Sequence, residues 1–129
     1  METPVSLPSE LRAFLHACID GIEQIDILLI LRGSDRGWTT REVAAAIRAS
    51  EPATRMHLQT LTARGLLDAK PGTEVLYRYQ PRTAALRGYV DLLVEHYVRS
   101  RSDVITFVAR QARQGIKSFS DAFKLKKPD

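Results

Sequence analysis

The chain has 129 residues, 44% apolar and 26% charged, which suits a soluble globular protein with one core. A single cysteine, Cys18, excludes an internal disulfide framework, the start "METPVSLPSELR" lacks the pattern of a signal peptide, and the longest apolar run, Ile27 to Leu31, is too short to span a bilayer, so a cytoplasmic protein with no membrane partner is expected. The net charge of +4 is uneven: residues 1–50 hold 5 basic and 7 acidic groups (−2), residues 51–129 hold 14 and 8 (+6), and residues 109–129 alone hold 6 and 2 (+4). Basic clustering favours a polyanionic partner, and a solvated tail accounts for it equally well.

Pro4 and Pro8 mark an extended lead-in. Ser9 is expected to cap a helix with Leu11, Phe14, Leu15 and Cys18 on one face, and Gly21 to divide it from a second helix carrying Ile22, Ile25, Leu28 and Leu29. "RGSDRG" supplies the stop. The next helix starts at a capping box, Thr39 with Glu42, and turns Val43, Ala44 and Ile47 inward. Trp38 reads as a core anchor before it.

Only a few residues later Ser50 caps another helix, with Pro52 in its first turn and Gly65 past its end. Thr54, Leu58 and Leu61 form its inward stripe. Two short helices so closely joined predict a helix-turn-helix. The period then changes. Leu66 and Leu67 open a strand, Pro71-Gly72 is a turn pair, and "VLYRY" places Val75, Tyr77 and Tyr79 on one face and Leu76 and Arg78 on the other. Pro81 closes this hairpin. Helices followed by a hairpin are the order of a winged helix.

From Thr83 helical spacing resumes through Leu86, Tyr89, Val90, Leu93 and Tyr97, and continues after "RSRSD" with Val104, Phe107 and Val108. One helix to about Gln114 would be about 48 Å long, more than this core needs. The spare face predicts a homodimer; the alternative is a helix folded back on its own chain. Gly115 is expected to end it, with a short turn at "SFSDAF". The expected fold class is mainly α with a small β-hairpin, a winged helix-turn-helix (residues 1–81) plus a long C-terminal helix and basic tail (residues 82–129).

"SEPATRMHLQTLTARGLL" resembles the recognition helix of bacterial winged-helix regulators of the ArsR and MarR kind, through Ser50, Pro52, Ala53, His57, Leu58, Leu61, Gly65 and Leu66. "WTTREVAAAI" resembles the helix before it and "YRYQP" the end of the wing. The likeness covers about residues 22–81. "IEQIDILLIL", "YRYQP" and "SFSDAFKLKK" also look like a group of small bacterial winged-helix proteins. The resemblance implies a transcriptional regulator bound to double-stranded DNA.

Such a helix lies in the major groove. Carried over, Arg55, Met56 and Gln59 face outward, with Arg55 suited to guanine and Gln59 to adenine. Ser50, Thr60 and Arg41 are placed to hold phosphates, and Lys70 at the wing tip and Arg78 to reach the DNA backbone or minor groove. Three residues oppose DNA: Glu51 at the helix start, Met56 where the family often has arginine, and Glu74 beside Lys70. The alternative function is therefore a protein-binding winged-helix adaptor that regulates a partner protein.

No phosphate-binding loop, His-Glu-x-x-His or Gly-x-Ser-x-Gly motif occurs, so no enzyme is expected. His16 and Cys18 diverge on a helix. Asp20, Glu23 and Asp26 read as a solvated stripe, and His57 as a packing or capping residue. The helix "REVAAAIRA" lacks the paired cysteines of metal-sensing ArsR proteins, so no metal or other cofactor is expected. A small effector has a candidate place between the winged helix and the long helix, which no residue singles out.

Overall fold

The computed structural model describes residues 7–111. Four helices come first: α1 (Ser9–Cys18), α2 (Ile22–Arg32), α3 (Thr40–Ile47) and α4 (Glu51–Ala63). Strands β1 (Leu67–Lys70) and β2 (Leu76–Tyr79) follow, then α5 (Ala84–Arg99) and a sixth helix, α6, over residues 101–111.

The ends of these elements follow from side-chain chemistry. α1 departs from expectation: Pro8 occupies its N-cap and Ser9 is already helical. α3 begins at the capping box. Thr39 Oγ1 accepts from the Glu42 amide at 3.1 Å, and Glu42 Oε1 accepts from the Thr39 amide at 3.0 Å. Ser50 Oγ caps α4 by accepting from the Ala53 amide. At the far end of α4 the Leu66 amide donates to Leu61 O and the Gly65 amide to Thr62 O, both at 3.0 Å. That is a Schellman closure, with Gly65 left-handed at φ 85° and Leu61 and Leu66 both buried beside it.

α3 closes in the same way, with the Ala49 amide donating to Ala44 O. Here the left-handed position is Arg48, at φ 58° and ψ 47°. This tight reversal leaves only three residues between the end of α3 and the start of α4. Thr54, Leu58 and Leu61 of α4 are fully buried against α2 and α3, as their spacing predicts.

The hairpin is antiparallel, pairing Leu67 with Tyr79, Asp68 with Arg78, Ala69 with Tyr77 and Lys70 with Leu76. Val75 lies outside β2 and is exposed, so it does not share the inward face with Tyr77. Trp38 does more than anchor the loop. Its backbone exchanges two 2.8 Å hydrogen bonds with Tyr77 and adds a third edge to the hairpin. Its ring is half-buried beneath the Arg36 guanidinium, 3.8 Å from the centroid.

The expected single long helix is divided. α5 stops at Ser100 (φ −137°, ψ 51°), whose carbonyl then accepts from the Asp103 and Val104 amides and starts α6. Serine favours helix ends over helix interiors, which explains a break in "RSRSD". The break turns both halves onto the same core: Val90, Leu93, Val104 and Val108 are buried with Leu11, Phe14 and Leu15 of α1. Phe14 and Tyr89 stack at 5.6 Å. Gln111 Nε2 donates to Leu15 O and Ile19 O, tying α6 to the end of α1. The folded-back arrangement is thus the one adopted along this face. The expected turn at "SFSDAF", Gly115 and the basic tail lie outside the described residues.

Candidate nucleic-acid interface

α4 presents a solvent-facing side next to the hairpin. Glu51, Arg55 and Gln59 lie four residues apart, on one face of the helix, and all are exposed. Together with Thr39, Thr40 and Arg41 from the start of α3, and Glu74, Val75 and Tyr77 from the hairpin, they line an open cleft of about 290 Å³. One wall is thus a helix face, the other a wing.

Charge in this cleft is balanced on one side and free on the other. Arg41 donates to Glu74 Oε2 at 3.3 Å, linking α3 to the wing across the opening, with both side chains more than half exposed. Arg55 has no ion-pair or hydrogen-bond partner among the described residues. Met56, 68% exposed, lies beside this face, and half-buried Thr60 follows it one turn later. Ser50 faces solvent at the helix start with its hydroxyl engaged in the cap.

The wing residues separate. Lys70 lines a second hollow at the tip with Pro71, Gly72, Thr73 and Leu76, and Glu74 borders both hollows. Arg78 stands elsewhere, paired with Asp35 at 3.0 Å in a recess that Arg32, Tyr79 and Arg87 also line. Of the eight residues picked from the sequence, the cleft therefore brings together Arg41, Arg55 and Gln59.

Several side chains hold this surface in place. His57 is a packing residue: its Nδ1 is 3.1 Å from Nε2 of buried Gln24. Gln24 Oε1 accepts from the Asp20 amide at 2.8 Å, which fixes the amide orientation, so Nε2 donates and His57 Nδ1 accepts. Arg64, inside the stretch assigned to groove reading, instead donates to Cys18 O at 2.7 Å and to Asp20 Oδ1 at 3.1 Å. It clamps the end of α4 to the α1–α2 junction. The Glu42 carboxyl is held below the usual carboxylate range by the Thr39 amide and by Arg36. Burial pushes the Cys18 thiol up, with Arg64 opposing, and burial likewise raises Asp26, partly offset by Arg101.

Sequence reasoning missed Thr39 and Thr40 as cleft residues, although two hydroxyls at a helix start were a usable signal. The Arg41–Glu74 link had none, since the two are 33 residues apart. Among the described residues no group of three His, Cys, Asp or Glu side chains is placed to hold a metal ion, and no helix is long and apolar enough to cross a membrane.

The family model described as the IclR helix-turn-helix domain matches residues 25–71, from α2 through β1 and into the turn after it. The fold is a winged helix-turn-helix. Solved structures share this architecture. The homodimeric winged helix-turn-helix DNA-binding domain of Mb0332 from Mycobacterium bovis, described as a possible ArsR-family transcriptional regulator, superposes with a TM-score of 0.50 at 19% identity, over 75% of this chain and 90% of that one. A mutant of MepR from Staphylococcus aureus bound to an oligodeoxyribonucleotide gives 0.55 at 13% identity, over 92% and 88%. Part of human N-acetylserotonin methyltransferase gives 0.43 at 22% identity over 57% of this chain, which spans 20% of that enzyme's length. The sequence matches no curated protein. In the winged helix-turn-helix frame, α3 and α4 are the two helices of the motif, α4 is its recognition helix, and β1 and β2 form the wing.

Proposed function

We propose that this protein is a DNA-binding transcriptional regulator, acting in the cytoplasm as a homodimer and without catalysis. The observation that carries the reading is the free face of α4. Arg55 and Gln59 stand exposed on the recognition helix, side by side with the wing, and the guanidinium has no partner among the described residues. Arg55 suits a bidentate contact to guanine O6 and N7, and Gln59 one to adenine N6 and N7. Arg41, Ser50, Thr60 and Lys70 position the duplex through phosphates. Arg78 serves the wing by fixing its base to Asp35 rather than by reaching DNA from the cleft. Residues 1–81 form the reading unit, and residues 82–129 join two copies.

Selection of bound duplexes from a random pool at near-physiological salt tests this. A palindromic motif is expected. Arg55→Ala is expected to cost about 1–3 kcal/mol on the selected site and to relax preference at one base pair. Equal loss on every sequence would reduce Arg55 to a phosphate contact. Absence of any motif, with binding that vanishes as salt rises, would overturn the reading. It would favour the alternative of a protein-binding adaptor, for which the 80%-exposed Val98 of α5 supplies an apolar contact.

A further inference from the structure

Glu51 is the residue that fits DNA binding worst, and the described residues around it assign it no task. It opens α4, but the cap there is made by Ser50 Oγ on the Ala53 amide. A capping box would need an acid at Ala53, and Glu51 makes no hydrogen bond or ion pair among the described residues. Helix-start polarity accommodates a carboxylate at this position without requiring one. Its side chain shares the cleft with Arg55 and Gln59, where a duplex would bring phosphates close. An unneeded negative charge in that place weakens binding to any sequence.

One contact with DNA turns this cost into selection. A carboxylate accepts from the exocyclic N4 amino group of cytosine in the major groove, where guanine and thymine present only acceptors and adenine sets its N6 donor beside the N7 acceptor that repels a carboxylate. We infer that Glu51 is a specificity residue that requires a cytosine, and that Glu51, Arg55 and Gln59 read one half-site together. This rests on the DNA-binding reading above.

The helix sets the spacing. Four residues advance about 6 Å along α4 at 1.5 Å per residue, and base pairs stack about 3.4 Å apart. Successive side chains of this face therefore meet pairs about two steps apart when the helix follows the groove. The half-site holds a C·G pair two steps from the G·C pair read by Arg55, on the side of the α4 N-terminus. An A·T pair lies on the other side, facing Gln59. The two charged side chains also complement each other in sign, so a sequence that satisfies Arg55 with the wrong neighbour leaves Glu51 against an acceptor edge and is rejected.

The test measures equilibrium affinity of the full chain for its selected duplex and for every single-base-pair variant of it, with wild type, Glu51→Ala and Glu51→Gln. Thermal unfolding of each variant checks that the fold is kept. Wild type is expected to lose about tenfold or more when the C·G pair two steps from the Arg55 pair is changed. Glu51→Ala is expected to erase that preference alone, and to raise affinity for unrelated duplexes. Glu51→Gln, which carries both a donor and an acceptor, is expected to shift the preference toward A·T. An unchanged preference in Glu51→Ala, or no C·G pair at that distance, overturns the inference while leaving the regulator reading intact. A wild type that selects no duplex overturns both.

Discussion

Gly65 and Arg48 occupy the same left-handed backbone region, one after each helix of the helix-turn-helix, and only one of them is glycine. A side chain there crowds the following carbonyl, at a cost of about 1–2 kcal/mol. Gly65 avoids that crowding, and a Cβ added to it would also sit 3.4 Å from Arg82 Cδ and Leu86 Cδ1. Gly65→Ala is therefore expected to destabilise the fold by about 1–2 kcal/mol, with the loss read from urea unfolding. Arg48 already carries the strain. Arg48→Gly is expected to gain up to about 1 kcal/mol, because relief of crowding outweighs the entropy of a freer unfolded chain. A loss in Arg48→Gly would mean that the arginine side chain contributes more than its backbone costs.

Acid titration probes a second residue. The Glu42 carboxyl is held below its ordinary value of 4.5 by the Thr39 amide first and by Arg36 next. A lowered folded value means that the charged form supports the native state. That support is complete above pH 4.5 and is lost as pH falls below it, through the lower folded value. Glu42→Gln is expected to flatten this part of the stability-versus-pH curve measured by thermal unfolding. An unchanged slope would show that the capping box is too exposed to couple to folding.

At the scale of elements, the wing and α3 are held together by Arg41 and Glu74, whose side chains are 73% and 53% exposed. So exposed a pair stabilises by about 1 kcal/mol at most, and a phosphate can replace the carboxylate readily. Under the proposed function, Glu74 competes with DNA phosphates for Arg41 and offsets Lys70 at the tip. Glu74→Gln is expected to tighten binding to every duplex and to steepen the salt dependence by about one released counterion. Filter binding at several salt concentrations reads both. A variant with unchanged slope would place Arg41 outside the footprint.

The same elements show what could be read from sequence and what could not. Caps and stripes are local, so Thr39 with Glu42, Ser50 with Pro52, and Thr54, Leu58 and Leu61 announced α3, α4 and their packing. The α4 face with Arg55 and Gln59 was legible for the same reason: helical spacing alone groups those residues. Pairings across the fold were not. Nothing near Arg78 indicates Asp35, nothing near Arg64 indicates Cys18, and Trp38 joins Tyr77 only after the hairpin has formed. The break at Ser100 was visible as a polar patch, but apolar periodicity continues on both sides of it. The deciding contact, Gln111 with the end of α1, is more than 90 residues away.

For the whole molecule, the fold-back of α6 changes where a second copy can sit. Val90, Leu93 and Tyr97 of α5 are committed to the chain's own core, together with Val104 and Val108 of α6. That stripe is unavailable to a partner. The flank of α5 is available: Val98 is 80% exposed, and Val94, one turn earlier on the same flank, is half-buried. An aliphatic side chain so open gains about 1.5–3 kcal/mol when buried, and twofold symmetry would use it twice. Two reading heads joined there would present two α4 helices to one duplex, which is what a palindromic site requires. Val98→Asp is expected to shift the solution mass from twice the 14.5 kDa chain toward one copy. It should also weaken binding to the full site far more than to a half-site. Light scattering after size exclusion reads the first effect and a half-site titration the second. A dimer that survives Val98→Asp unchanged would move the interface away from the α5 flank, and a wild type that runs as a single copy would remove the dimer from the proposed mechanism.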